Sequence, residues 1–363
     1  MKFYTTPYHS NLIKDKDRLS VFFEGIDEFF YDNMDDFNNY NNHNNNYNNH
    51  NNNYNNHNNN NNNYNYNNNL NNNLNIHNGF DLNFKHEKLG IALDIGCGSG
   101  VLSYFASKYF DHVIAIDIDS KIIDCAKRSF DEAKIENVTF INEDASLYQF
   151  DEFDEYNEFN ESDEFADLII CEMMDTALID EEEVPVLKNV RKYLKKDGKI
   201  IPQGIINIAE PVYMEKDYIH YEDEDFHGKK PKYKILGKPI KFVEFDFLED
   251  FGADFETIID FTFNDIINSN NNSTNDNKSI NNGNDNNDNI NKLNDFNGIK
   301  ITTFTKINEN IICGPTPMLN PPLFIPVDTQ NRIKNKKCSV KLEYSMGKGV
   351  ENIKTSIIHK NIG

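Results

Sequence analysis

The segment Leu93-Asp94-Ile95-Gly96-Cys97-Gly98-Ser99-Gly100 has the residue types and spacing that point most directly to chemistry. It follows a short apolar run and precedes Val101, Leu102, Phe105, Ala106 and Tyr109, so it stands where a buried strand gives way to an amphipathic helix. Glycines at such a junction let the backbone turn tightly and approach a ligand, and the helix start supplies unpaired N–H groups. About 20 residues past the first of these glycines, the apolar run Val113-Ile114-Ala115-Ile116 ends in Asp117. In a nucleoside-binding βαβ unit an acid at this place accepts hydrogen bonds from the ribose hydroxyls. Asp144 follows a third apolar segment, Val138 to Asn142, at the same strand-end level. It is placed there to face an adenine amino group, with turn capping as the alternative. The glycine pattern is GxGxG, and Val101 stands where the dinucleotide fingerprint requires its third glycine, which argues against NAD.

These residues need a parallel sheet to position them. From Leu89 to Gln203 the pattern alternates strand and helix: strands at Leu89 to Ile95, Val113 to Asp117, Val138 to Asn142, Asp167 to Cys171 and from Lys199, with helices at Val101 to Phe110, from Asp119 or Ser120, and Glu181 to Lys195. This is an α/β, Rossmann-like domain over residues 81–203. Ahead of it, residues 1–37 read as helices, with Leu12, Ile13, Leu19, Phe22, Phe23, Ile26, Phe29 and Phe30 near a 3.6-residue period. After Pro202 alternating segments suggest an antiparallel β-barrel-like domain over 204–363. Asparagine-rich tracts at 38–80 and 268–297 cannot bury enough apolar surface to offset chain entropy, and both are expected to be disordered insertions. The acidic stretch Asp151 to Phe165 reads as an exposed insertion.

Composition narrows the partners. A formal net charge of −23 over 363 residues opposes phosphate-backbone binding and favours a basic partner. The five cysteines are scattered, with no CxxC or Cys/His cluster, which reads as reduced thiols and no metal site. No apolar run is long enough for a membrane span, and the expected location is cytoplasmic or nuclear.

The run LDIGCGSG with Asp117 resembles the S-adenosylmethionine-dependent methyltransferases of the Rossmann-like class. The segment Cys171-Glu172-Met173-Met174, with Glu181 nine positions after Glu172, resembles the double-glutamate loop of the protein arginine methyltransferases. Lys14, Asp15 and Arg18 match that family's Lys-Asp-x-x-Arg element, and the order of parts is also the family's. The resemblance implies S-adenosylmethionine as cofactor, with Asp94, Gly96, Gly98 and Gly100 in the loop that cradles it. It further implies Asp117 at the ribose, Asp144 on the adenine side and Arg18 at the methionine carboxylate. Glu172 and Glu181 would clamp a substrate guanidinium, and Met174 would pack beside the reacting centre. A guanidinium keeps its proton at working pH, so two carboxylates on its fork can draw charge away from the attacking nitrogen. The implied partner is a protein substrate, possibly rich in arginine.

The chain departs from the family in three places. It has no tryptophan, and where the family carries Thr-His-Trp it reads Pro317-Met318-Leu319-Asn320-Pro321-Pro322-Leu323-Phe324. Asp175 and Thr176 replace the usual Gly-Tyr, and the stretch available for a dimerisation arm, Met214 to Lys238, is short. A methyltransferase with another acceptor, whether a different protein side chain, an RNA or a small molecule, and an interaction protein that retains the fold stay open as alternatives.

Overall fold

The computed structural model describes residues 1–46, 88–150, 164–223, 228–263, 296–328 and 337–358. Strands β1 (Leu89–Ile95), β2 (Phe110–Ile116), β3 (Val138–Ile141), β4 (Ala166–Cys171) and β5 (Leu194–Ile201) form one parallel sheet in the order β3-β2-β1-β4-β5. Strands β1, β2 and β4, in the middle of the sheet, are largely buried apolar runs, whereas β5 at one edge carries exposed charged residues. The chain order reverses between β1 and β4, which pair with Ile95 opposite Cys171. Ligands in open α/β sheets bind beyond the strand ends at such a reversal.

Helices α1 (Pro7–Lys14) and α2 (Lys16–Asn46) precede the sheet. Thr6 caps α1 by accepting the His9 amide, and Pro7 occupies a first-turn position where no amide hydrogen is needed. Phe22 and Ile26 of α2 are fully buried, and Phe23 meets Phe105 edge-on over α3 (Val101–Ala106). Helix α4 (Ser120–Ala133) is capped by Asp119, whose carboxylate accepts the Lys121 amide, and buries Ile122, Ile123, Ala126 and Phe130.

Several boundaries differ from the sequence expectation. The α2 backbone continues to Asn46, past the expected end of the helical region at residue 37, because extending a formed helix gains one hydrogen bond per residue fixed. The rest of the first asparagine tract, from 47, lies outside the described residues, as do 151–163 of the acidic stretch and nearly all of the second tract. Phe165, assigned to the acidic insertion, is instead buried against Phe150 and Tyr193. Helix α3 stops early because the chain must leave it to start β2 at Phe110, opposite Leu89. The helix expected over Glu181 to Lys195 is the shorter α5 (Glu183–Val190). Lys195 lies in β5 and is held there by an ion pair of 2.8 Å with Asp167.

Beyond a cis Ile201–Pro202 bond the fold becomes antiparallel. Strands β6 (Gly204–Met214), β7 (His220–Tyr221), β8 (Tyr233–Ile235), β9 (Ile240–Asp246), β11 (Gly298–Lys306), β12 (Ile312–Cys313) and β13 (Leu323–Pro326) form one sheet. Strands β10 (Asp254–Thr262), β14 (Lys337–Ser345) and β15 (Lys354–Ile358) form a second, three-stranded sheet. The short strands β7, β8, β12, β13 and β15 are brief or weakly alternating, so the sequence pattern does not announce them. All five cysteines are unpaired, and four of them are buried. Among the described residues no helix is long and apolar enough to cross a membrane.

Candidate active site

A cleft of about 290 Å³ opens beyond the carboxyl ends of β1, β2, β3 and β4, roofed by α1 and the start of α2. The pairing of β1 with β4 brings the glycine loop and Glu172 out side by side. Three loop glycines, Gly96, Gly98 and Gly100, have positive φ. At Gly96 (φ +69°) a Cβ would lie 2.4 Å from Cγ of Met173, so the residue after the first glutamate packs directly on the loop. The Gly98 amide donates to Oδ2 of Asp117 at 2.9 Å, and the Asp119 amide donates to Oδ1 at 2.8 Å. Asp117 is thereby fixed at the cleft wall, with lone pairs left for further donors.

Asp94 lines the cleft floor and accepts a hydrogen bond from the Ser103 hydroxyl. Burial pushes its carboxyl up to about 7, against the pull of that bond. Asp144 also lines the cleft, but Oδ1 already accepts the amide (2.9 Å) and hydroxyl (2.7 Å) of Ser146. The capping alternative therefore holds for that oxygen. Exposed Glu143 lines the same wall and is the neighbour that sequence reasoning passed over.

The opposite wall carries Glu172, Met174 and Glu181, together with Met173 and Glu182. Arg18 reaches from α2 and pairs with Glu172 through both oxygens, Nε to Oε1 at 2.8 Å and Nη2 to Oε2. Arg18 is buried and Glu172 nearly so, and Arg18 also donates to the Leu12 carbonyl at 3.2 Å. Burial works against the Arg18 charge, but Glu172, Asp15 and Tyr8 outweigh it and leave the pKa raised. Sequence reasoning placed Arg18 and Glu172 at two separate ligand groups, whereas here they form one internal pair. Among the described residues Glu181 has no ion-pair partner within 4.0 Å. Its carboxyl is raised by burial and then by Glu172, Asp180 and Glu182.

The path between the two glutamates is unusual. Ala177 and Leu178 both have positive φ, near +59° and +58°, and both are fully buried. Non-glycine residues in this region cost roughly 1–3 kcal/mol each and persist only where their surroundings hold them. The second domain does the holding. Thr176 Oγ1 donates to the Pro321 carbonyl at 2.6 Å, and the Ala177 amide donates to Thr303 Oγ1 at 2.9 Å. Thr303 in turn donates to Asn207 at 2.6 Å. The Gly347 and Gly349 amides donate to the carbonyls of Leu178 and Ile179, both at 3.0 Å.

Other cleft residues went unread in the sequence. Tyr8 and His9 enter from α1, with His9 Nδ1 2.8 Å from Thr6 Oγ1, and the Thr-Pro capping signal ahead of them could have flagged the helix start. Met318 enters from the second domain, within the segment that stands in place of Thr-His-Trp. Just before it, Thr316 donates to Asp15 at 2.5 Å and ties that segment to the N-terminal helices. Glu183 is fully buried behind the acid loop, with neither oxygen in a well-formed hydrogen bond. Burial raises its pKa strongly; the Cys171 thiol is close enough to oppose this, and Glu172, Asp175 and Glu181 add to it.

Comparison with known proteins agrees with this geometry. Residues 92–198 match the family model described as a methyltransferase domain. The chain is 30% identical over 358 residues to an uncharacterized protein of Methanothermobacter thermautotrophicus, covering 99% of this chain and 100% of that one. It is 34% identical over 138 residues to a ribosomal protein L11 methyltransferase of Thermosipho africanus, covering 38% of this chain and less than half, 46%, of the relative. Among solved structures, the Trypanosoma brucei PRMT1 enzyme–prozyme complex with AdoHcy shares the fold at a TM-score of 0.52 and 14% identity, over 76% of this chain and 86% of that one. A strand-end glycine loop, an acid after the second strand and full-length kinship with the archaeal protein converge, and the chain belongs to that protein's family and is an S-adenosylmethionine-dependent methyltransferase of class I.

Proposed function

We propose that the protein methylates a cationic protein side chain, an arginine in first place, held by Glu172 and Glu181 in the manner of the protein arginine methyltransferases. The observation that carries this reading is the convergence of Glu172 and Glu181 on one cleft with the glycine loop and Asp117. When bound, S-adenosylmethionine supplies an electrophilic methyl group on a positively charged sulfur. The residues of this chain fit that ligand. Asp117 offers the ribose a carboxylate already oriented by two amides. Arg18, on parting from Glu172, supplies a guanidinium for the methionine carboxylate, and Glu143 or Oδ2 of Asp144 accepts from the adenine amino group. The acceptor nitrogen would take the methyl group as its bond to sulfur breaks with the electron pair left on sulfur, and would release one proton to solvent. Glu181 and Glu172 bind the unreactive nitrogens through charge-assisted bonds and so direct the lone pair of the third. The net charge of −23 draws a basic, arginine-rich segment to the cleft.

A second reading is favoured by the Arg18–Glu172 pair. With both oxygens of Glu172 engaged internally, Glu181 is the carboxylate left to an acceptor, and a single carboxylate suits an amine. One experiment tests both readings. The purified protein is incubated with labelled S-adenosylmethionine and cell extract, and the labelled residue is identified by mass spectrometry. Methylarginine upholds the first reading and a methylated amine the second. Calorimetric binding of S-adenosylmethionine without any labelled product would sink both.

A further inference from the structure

Asp175 is a departure from the family pattern that the proposed chemistry does not use. Its side chain turns back into the loop that it begins. Oδ2 accepts the amides of Ile179 at 3.2 Å and Asp180 at 2.9 Å, and Oδ1 lies 3.5 Å from the Glu181 amide. A single carboxylate thus faces three successive amides and reverses the chain, which brings Glu181 round to the cleft that Glu172 lines. Tyr221 supports the turn from β7, donating to Asp180 Oδ2 at 2.5 Å and lying 3.4 Å from Asp175 Oδ2. The second domain grips the outside of the loop through Gly347, Gly349 and Thr303, while Asp175 fills its inside.

The surroundings are unfavourable for an acid. Burial and then the nearby charges of Asp180 and Glu181 push the Asp175 carboxyl up to about 7, against the amides that favour its ionised form. An apolar residue would avoid that cost but would leave the Ile179 and Asp180 amides without this acceptor. We propose that Asp175 is a positioning residue that shapes the segment between the two glutamates and sets where Glu181 stands. This rests on the reading that Glu181 contacts the acceptor.

The test compares Asp175→Ala, Asp175→Asn and Glu181→Gln in the full chain. For Asp175→Ala, hydrogen exchange at the Ile179, Asp180 and Glu181 amides is expected to rise about ten- to a hundredfold, the loss of bonds to a charged acceptor. Exchange in β4 and calorimetric affinity for S-adenosylhomocysteine should stay at the wild-type values. Labelled methyl transfer to extract proteins should fall by about tenfold or more. Asp175→Asn keeps one acceptor oxygen and should lie between wild type and Asp175→Ala in both readouts. Unchanged exchange at the three amides overturns the proposal. So does a uniform rise across β4 with lost S-adenosylhomocysteine binding in both Asp175 variants, because that marks a general structural role. If exchange rises and Glu181→Gln stops transfer while Asp175→Ala does not, the positioning role falls and the site reading stands. If Glu181→Gln transfers normally, or the wild type labels nothing, the site reading falls and exchange alone decides whether Asp175 shapes the loop.

Discussion

The two walls of the cleft are built in different ways. Most of the wall that carries the glycine loop runs through one stretch of chain, Leu89 to Asp117, in which the loop, its strands and Asp117 are close in sequence and bonded to one another. The acid wall begins at the end of β4 but takes its shape from Thr303 on β11, Pro321, Gly347 and Gly349. The first wall is a supersecondary motif, and the second is a tertiary construction. A motif can bind a ligand class shared by many proteins, whereas a wall assembled from distant segments can be reshaped to a particular acceptor.

Substitutions can break or sharpen this contrast. Glu181→Gln should have the largest effect, lowering methyl transfer about a hundredfold or more while cofactor affinity by calorimetry stays unchanged. Asp117→Ala should do the converse, weakening cofactor binding about ten- to a hundredfold and sparing transfer at saturating cofactor. A variant that damaged both properties equally would erase the distinction between the walls. Thr303→Val removes the acceptor for the Ala177 amide. It should reduce transfer about tenfold and cost about 1–3 kcal/mol in denaturant unfolding, with cofactor affinity kept. Unaltered transfer would show that the loop holds itself. Glu183→Met should raise stability, by about 1–3 kcal/mol, because it replaces a buried carboxyl that has no well-formed hydrogen bond among the described residues. A loss of stability would mean that Glu183 has a partner in solution.

The smallest effect is on pH dependence, and both walls contribute to it. Asp94 and Asp175 ionise near 3.8 when unfolded and are pushed up to about 7 by burial. Between those values the native state holds more protons, so the stability present below pH 3.8 is lost as pH rises to about 7. Urea unfolding from pH 4 to 8 should show this decline, and Asp94→Asn should flatten part of it. A rise over that range would contradict the burial of these groups.

The contrast also explains what could be read from the chain. The buried strands, the Asp119 cap and the glycine loop with Asp117 were legible because their signals lie within a few residues of one another. Glu172 and Glu181 were singled out by resemblance to a family's double-glutamate loop, yet nothing local disclosed that Arg18, 154 positions earlier, would be bonded to Glu172. The end of α3 and the start of β5 were misjudged for a related reason. Pairing of Phe110 with Leu89 and of Leu194 with Ala166 sets those boundaries, and no helical periodicity reports a partner strand. Asp175 was noticed only as a substitution, because its partners are main-chain amides that any sequence would supply.

The grip of Gly347 and Gly349 on the carbonyls of Leu178 and Ile179 bears on how the chain can be divided. A fragment cut after Pro202 would keep every residue of the nucleotide wall yet leave its second glutamate on an unmoored tether. Such a piece is expected to sense the methyl donor and to use it poorly.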